Sequence, residues 1–171
     1  MDVTIVESGM EFTFPNDRLY HIERSPKFSS ITGRKTCECI VMHNDKIVFI
    51  EAKKSSPRKE DPVRFDEFIR DISMKFVDSF DFYCSVLVDR HKDETMPKAL
   101  RSEPLSDTEF EFYLIINGHR PEWLPPVMDG LKQELRKKLR IWNIKDSSVK
   151  VINEKIAQAK GLIKSTLSPQ K

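Results

Sequence analysis

The chain has 171 residues, of which 39% are hydrophobic and 33% charged, with 29 Lys and Arg set against 27 Asp and Glu. That length suits one domain with a sheet and covering helices, and the composition excludes a disordered polyelectrolyte and a chain made of membrane spans. A net charge of +2 does not by itself demand a polyanionic partner. The opening MDVTIVESG lacks the basic and then apolar pattern of a secretory signal. The three cysteines all sit in apolar company, Cys37 and Cys39 in CECIV and Cys84 in FYCSVLV, as expected for reduced, buried thiols. These features lead us to expect a soluble, intracellular, cytoplasmic protein with no membrane partner.

In chain order, VTIVESGMEFTF (3–14) holds two β-prone runs around Ser8-Gly9 and predicts a hairpin or bulged strand. Asn16 or Asp17 as a cap, with Leu19, Tyr20 and Ile22 as an apolar side, predicts a short helix. CECIVM, then His43-Asn44-Asp45-Lys46, then IVFIEAKK reads as two strands joined by a tight turn. Asp61 followed by Pro62 matches a helix cap with proline at the first helical position. From Phe65 to Leu87 apolar residues recur at steps of three and four, predicting a long amphipathic helix that grades into a strand near VLV.

The proline-punctuated stretch from His91 to Thr108 predicts an exposed, mobile loop. EFEFYLIIN is the nearly continuous apolar strand of a covered sheet. After Pro125-Pro126 a helix buries Met128, Leu131, Leu135, Leu139 and Trp142. SVKVI predicts a strand, and residues from Glu154 to Ile163 a last helix. The whole predicts one α/β domain over 1–165: a central mixed β-sheet whose hairpin carries an acidic site, flanked by helices, with a flexible C-terminal tail at 166–171.

Within the hairpin, a turn centred on Asn44-Asp45 sets His43 opposite Lys46 and, further along the ladder, Glu38 opposite Glu51. Alternation then gives one face Glu38, Ile40, Met42, Ile47, Phe49, Glu51 and Lys53, and the other Cys37, Cys39, Val41, Val48, Ile50 and Ala52. Both faces are mainly apolar, yet two carboxylates share one level. Like charges so placed repel, and partial burial raises their pKa values. A divalent cation or the Lys53 ammonium would reverse that penalty.

An apolar strand ending in Glu-x-Lys (IVFIEAKKS), with an acid one hairpin earlier, resembles the PD-(D/E)xK, or restriction-endonuclease-like, nuclease superfamily, over residues 16 to 117. The resemblance implies a four-stranded mixed sheet in the order helix, three strands, helix, strand. It implies Mg2+ or Mn2+ held by Glu38, Glu51 and the Ala52 backbone carbonyl, with Glu23 as a further acid from the first helix. Lys53 would orient or activate the attacking water, so that Lys53, Glu51 and Glu38 form the catalytic set. Lys54, Arg58 and Lys59 would touch a phosphate backbone, DNA in preference to RNA, and specificity would call for a homodimer or a larger complex. The chain departs from the pattern in having Glu38 for Asp and Cys37 for proline.

Other readings stand beside this one. Degeneracy at the first acid favours a catalytically inactive module of the same fold, acting in nucleic-acid binding or protein assembly; an unrelated α/β interaction protein is the third. Cys37 and Cys39 with His43 lack the second ligand pair of a soft-metal site. His21, His91 and His119 read as loop or surface groups. Arg136, Lys137, Lys138 and Arg140 read as a solvated helix face, and Trp123 as a cover for the core rather than a base-stacking platform.

Overall fold

The computed structural model describes residues 1–167 as an α/β domain. Two hairpins organise it. The first joins β1 (Asp2–Glu7) to β2 (Met10–Pro15) through Ser8 and Gly9, and the second joins β4 (Cys39–His43) to β5 (Lys46–Lys53) through Asn44 and Asp45. All four turn residues have positive φ, the two-residue geometry whose twist matches that of the flanking strands. Asn and Asp accept that conformation more readily than most residues, which is why the second turn is so legible in the sequence.

A five-stranded mixed sheet runs in the order β3 (Leu19–Tyr20), β4, β5, β6 (Phe110–Ile116), β7 (Val149–Asn153). β3–β4 and β4–β5 pair antiparallel, while β5–β6 and β6–β7 pair parallel. Parallel neighbours require crossovers. The short α1 (Pro26–Ser29) lies between β3 and β4, α2 (Pro62–Leu87) connects β5 to β6, and α4 (Leu124–Ile141) connects β6 to β7. Asp61 caps α2 by accepting from the Arg64 N–H, and Pro62 occupies its first turn.

One sheet face packs Ile40, Met42, Ile47 and Phe49 against Ile72, Phe76 and Phe80 of α2 and Leu131 and Leu135 of α4. Phe49 stacks on its register neighbour Phe112 at 5.2 Å between centroids. The other face packs Val41, Val48, Ile50 and Ala52 against Phe12 and Phe14 of β2 and against Ala157 of α5 (Glu154–Ala159). Its cover is thus a second sheet, β1-β2-β8, in which β8 (Ser165–Thr166) pairs with β2. The apolar alternation of β4 and β5 on both faces has its reason in these two covers.

Several expectations are corrected. No helix starts at Asn16: a turn leads into β3, where Leu19 pairs with Val41 and Tyr20 with Ile40, and a single 3-10 turn follows at Ile22–Arg24. VLV does not become a strand, because α2 continues through Leu87. The segment from His91 to Thr108 is anchored rather than an open loop. It contains α3 (Lys98–Arg101), buries Leu100 completely, and is tied down by Tyr83 Oη donating to the Leu100 carbonyl at 2.8 Å and Tyr20 Oη donating to Glu94 at 2.6 Å. Helix α5 stops at Ala159 ahead of Gly161 at φ +71°. Of the expected tail, Thr166 lies in β8 and residues 168–171 fall outside the described residues. Trp142 lies beyond the end of α4 and is 37% exposed. No helix among the described residues is long and apolar enough to cross a membrane.

Candidate active site

The parallel strands β5, β6 and β7 all end at one edge of the sheet, the position where open α/β sheets commonly receive ligands. Lys53 closes β5 there, and its carbonyl accepts from the Asn117 N–H just past β6. Asn117 in turn donates through Nδ2 to the Ser8 carbonyl at 2.9 Å, which pins the β1–β2 hairpin tip to this edge. Gly9 makes the approach possible: its φ is +76°, and a Cβ there would stand 2.9 Å from Asn117 Nδ2.

Glu51 is 0% exposed. Its Oε1 is 2.9 Å from Lys53 Nζ and 2.7 Å from Lys75 Nζ, which reaches it from the middle of α2. Its Oε2 is buried with no hydrogen-bond partner among the described residues. Burial pushes the Glu51 carboxyl upward, and the Lys75 and Lys53 ammoniums pull it back without cancelling the rise. Burial is the strongest single influence on the Lys75 ammonium and opposes it, but the charge and hydrogen bond of Glu51, the Glu38 charge and the Lys53 side chain together outweigh it and leave Lys75 above the ordinary lysine range.

Glu38 is 8% exposed and lies one residue before β4. The regular ladder ends at Cys39 opposite Ile50, and the Glu38 N–H donates to the Ile50 carbonyl at 2.9 Å rather than extending the pairing to Glu51. The backbone is therefore offset at the expected Glu38–Glu51 level. Cys37 is carried to the α2 side, where its N–H donates to Ser79 Oγ, instead of joining Cys39 on the opposite face. Glu38 and Glu51 are nonetheless electrostatic neighbours. Burial pushes the Glu38 carboxyl up to about 8, aided by the Glu51, Glu7 and Glu23 charges. No hydrogen bond or ion pair neutralises the Glu38 carboxylate among the described residues.

Glu23 sits in the 3-10 turn after β3 with about half its side chain exposed (53%), and its Oε2 is 3.8 Å from His21 Nε2. Together with Glu7, at the end of β1, these side chains bring one ligand atom each within 4.8 Å of one another. Burial and the Glu23 charge raise the Glu7 carboxyl, while burial and Arg24 lower the His21 pKa. Sequence reasoning did not find Glu7, His21 or Lys75. The first two are distant in sequence and meet only because the β1–β2 hairpin packs on the sheet. Lys75 did leave a signal: it falls on the helical line Ile72, Ser79, Phe82, whose other members are all buried.

Ala52, between the two motif residues, is 1% exposed. Lys54, Arg58 and Lys59 lie in the exposed connection after β5, with the Arg58 guanidinium 4.2 Å from the centre of the Trp123 ring and Arg120 at 5.1 Å. His119 is no surface group. It is 8% exposed, and its Nε2 is 2.9 Å from Ser56 Oγ. The three cysteines are free and buried, and burial raises each thiol pKa.

No protein-family model, curated protein or solved structure matches the chain.

Proposed function

We propose that this protein is a metal-dependent nuclease of the PD-(D/E)xK type that hydrolyses phosphodiester bonds in DNA, with Glu38, Glu51 and Lys53 as its catalytic set. The observation that carries the reading is the unpartnered, fully buried Oε2 of Glu51 beside the unpaired carboxylate of Glu38. An orphaned buried carboxylate oxygen costs roughly 1–3 kcal/mol or more, and a cation would remove that cost. Hard carboxylate oxygens fit Mg2+ or Mn2+.

The ion would be held by Glu38, Glu51 and the Ala52 carbonyl. When bound, it supplies positive charge against the charge developing on the phosphate and acidifies a water. Lys53, with its side chain 30% exposed and its ammonium on Glu51 Oε1, is within reach of both that carboxylate and solvent. It orients the attacking water and stabilises the negative charge that builds as the water oxygen bonds to phosphorus and the P–O ester bond breaks. Lys75 is a positioning residue, fixing Glu51 from α2. Lys54, Arg58 and Lys59 extend the edge as a basic margin for the phosphate backbone.

A second reading, a catalytically inactive DNA-binding or assembly module, draws support from two lysines already neutralising Glu51 and from Glu38 in place of Asp. The test is cleavage of labelled DNA with Mg2+ or Mn2+ by the wild type, Glu51→Gln and Lys53→Ala. Cleavage lost in both variants, with unchanged circular dichroism, supports the nuclease. Cleavage retained in either variant, or absent from the wild type under every divalent ion, overturns it; salt-dependent DNA binding in the latter case favours the inactive module.

A further inference from the structure

Tyr20, which ends β3, and Glu94, in the segment before α3, lie 74 residues apart in sequence and both line a cavity of about 610 Å³. One wall of it comes from the 3-10 turn and α1, with Arg24 and Lys27, and the other from Asp93 and Glu94. Lys27 and Asp93 tie the two walls together at 2.7 Å. The volume is that of a small-molecule site, and its mixed polar and apolar lining is of the kind that fixes a ligand's orientation.

Two groups in this cavity have binding capacity that the protein leaves unused. Glu94 is 6% exposed; its Oε1 accepts from Tyr20 Oη at 2.6 Å, while its Oε2 makes no hydrogen bond or ion pair among the described residues. Burial and the Glu94 bond push the Tyr20 phenol upward, so its hydroxyl stays a donor to that carboxylate. A carboxylate has about four acceptor sites, and Tyr20 takes one of them. Arg101 does not fill the rest, since it donates to the Glu94 main-chain carbonyl and to Asp89. A buried acceptor short of donors costs free energy that a ligand can recover. Arg24, in contrast, is exposed, and its guanidinium forms no ion pair or hydrogen bond among the described residues.

The ligand that answers both groups brings adjacent N–H donors for the buried carboxylate and an anion for the guanidinium. We infer that this cavity binds a guanine nucleotide, with Glu94 accepting from N1–H and the 2-amino group of the base and Arg24 holding the phosphate. Base identity follows from the edge that faces Glu94. Adenine and cytosine set a ring-nitrogen acceptor beside their amine and would turn a lone pair toward the carboxylate, while uracil and thymine offer a single N–H between two carbonyls. A cationic guanidine also has paired donors, but it would carry positive charge into a cavity that already holds Arg24. The same chemistry serves a free mononucleotide and a guanine presented by a single strand. The inference goes beyond the nuclease reading and does not depend on it.

The experiment is calorimetric titration of the full chain, without divalent ions, with guanosine 5′-monophosphate and with a short single-stranded oligonucleotide holding one guanine among thymines, against an all-thymine control. Inosine monophosphate, which lacks the 2-amino group, should bind roughly tenfold more weakly than guanosine monophosphate, and adenosine monophosphate more weakly still. Arg24→Ala should reduce the affinity for guanosine monophosphate to about that of guanosine and leave guanosine binding unchanged. Glu94→Gln, which keeps an acceptor for Tyr20, should weaken guanosine monophosphate roughly tenfold or more with an unchanged melting temperature. Tighter binding of the oligonucleotide than of the free nucleotide assigns the guanine to a strand, and the reverse order to a free nucleotide; either upholds the cavity. Equal affinity for guanosine and adenosine monophosphates overturns it. So does unchanged affinity in Glu94→Gln, or no binding of guanosine monophosphate together with no preference for the guanine oligonucleotide over its control. Should Glu94→Gln fail to fold, the comparison of nucleotides on the wild type decides alone.

Discussion

Lys75 Nζ lies 2.7 Å from Glu51 Oε1, so a helix on one side of the sheet and a strand within it meet through opposite charges at a fully buried carboxylate. Lys53 reaches the same oxygen from the strand itself, at 2.9 Å. The metal-free site is thus held by two ammoniums on one oxygen, with the other oxygen unused. This arrangement makes Glu51 the point where the packing of α2 and the chemistry of the edge are coupled.

Removing Lys75 tests that coupling. Lys75→Met keeps the hydrophobic stem but withdraws one of the two cations from Glu51, and a charged group losing a buried partner costs roughly 1–3 kcal/mol. Urea unfolding should show that loss for Lys75→Met. In the Lys75→Met, Glu51→Gln double variant the loss should be smaller than the sum of the singles, because the two residues share one interaction. Added Mn2+ should stabilise Lys75→Met more than the wild type, since the ion takes over the missing positive charge. Strict additivity, with no difference in metal response, would remove Lys75 from the site.

Glu38 makes stability depend on pH with an unusual sign. Its carboxyl is pushed up to about 8 by burial and then by Glu51, Glu7 and Glu23, whereas the unfolded value is 4.5. Between those values the native chain keeps a proton that the unfolded chain has released. Stability therefore falls as pH rises through this window and levels off above about 8. Glu51, also raised, contributes in the same direction. Denaturation midpoints taken from pH 5 to pH 9 should decline, with a shallower slope in Glu38→Gln. Metal binding should strengthen over the same range and release protons, because the ion takes the ionised carboxylate. A midpoint that rises with pH in the wild type, or an identical slope in Glu38→Gln, would contradict this account.

How much of this was legible in the sequence depended on how local the cause was. The β4–β5 hairpin was readable because alternation fixes faces and Asn44-Asp45 supply the left-handed turn, both within a few residues. The backbone offset at Glu38 was not readable, since it follows from the Glu38 N–H turning to the Ile50 carbonyl where the ladder ends. Leu19, Tyr20 and Ile22 are too few to separate a helical step from a strand; pairing of Leu19 with Val41 and Tyr20 with Ile40 decided it. The covering of the second face by β1 and β2 could not be inferred from either strand alone. With it went Glu7 and His21, whose meeting is a consequence of tertiary packing.

Lys138 and Arg58, one from each basic patch, differ in how the protein satisfies their charge, and the last prediction concerns them. Lys138, on α4, donates to Asp81 at 2.6 Å and is already neutralised by the protein. Arg58 forms no ion pair among the described residues; its guanidinium is held over Trp123 at 4.2 Å, which orients it without satisfying its charge. A guanidinium so placed, five residues beyond Lys53, keeps donors for a phosphate oxygen. In DNA binding measured without a divalent ion, Arg58→Ala should weaken affinity roughly three- to tenfold whatever the sequence. It should also lower the slope of log affinity against log salt by about 1. Lys138→Ala should change neither, because the charge it removes was not available to DNA. Equal effects of the two substitutions would mean that overall charge, rather than the edge beside Glu51 and Lys53, attracts the nucleic acid, and no effect of Arg58→Ala would take the loop after β5 out of the interface.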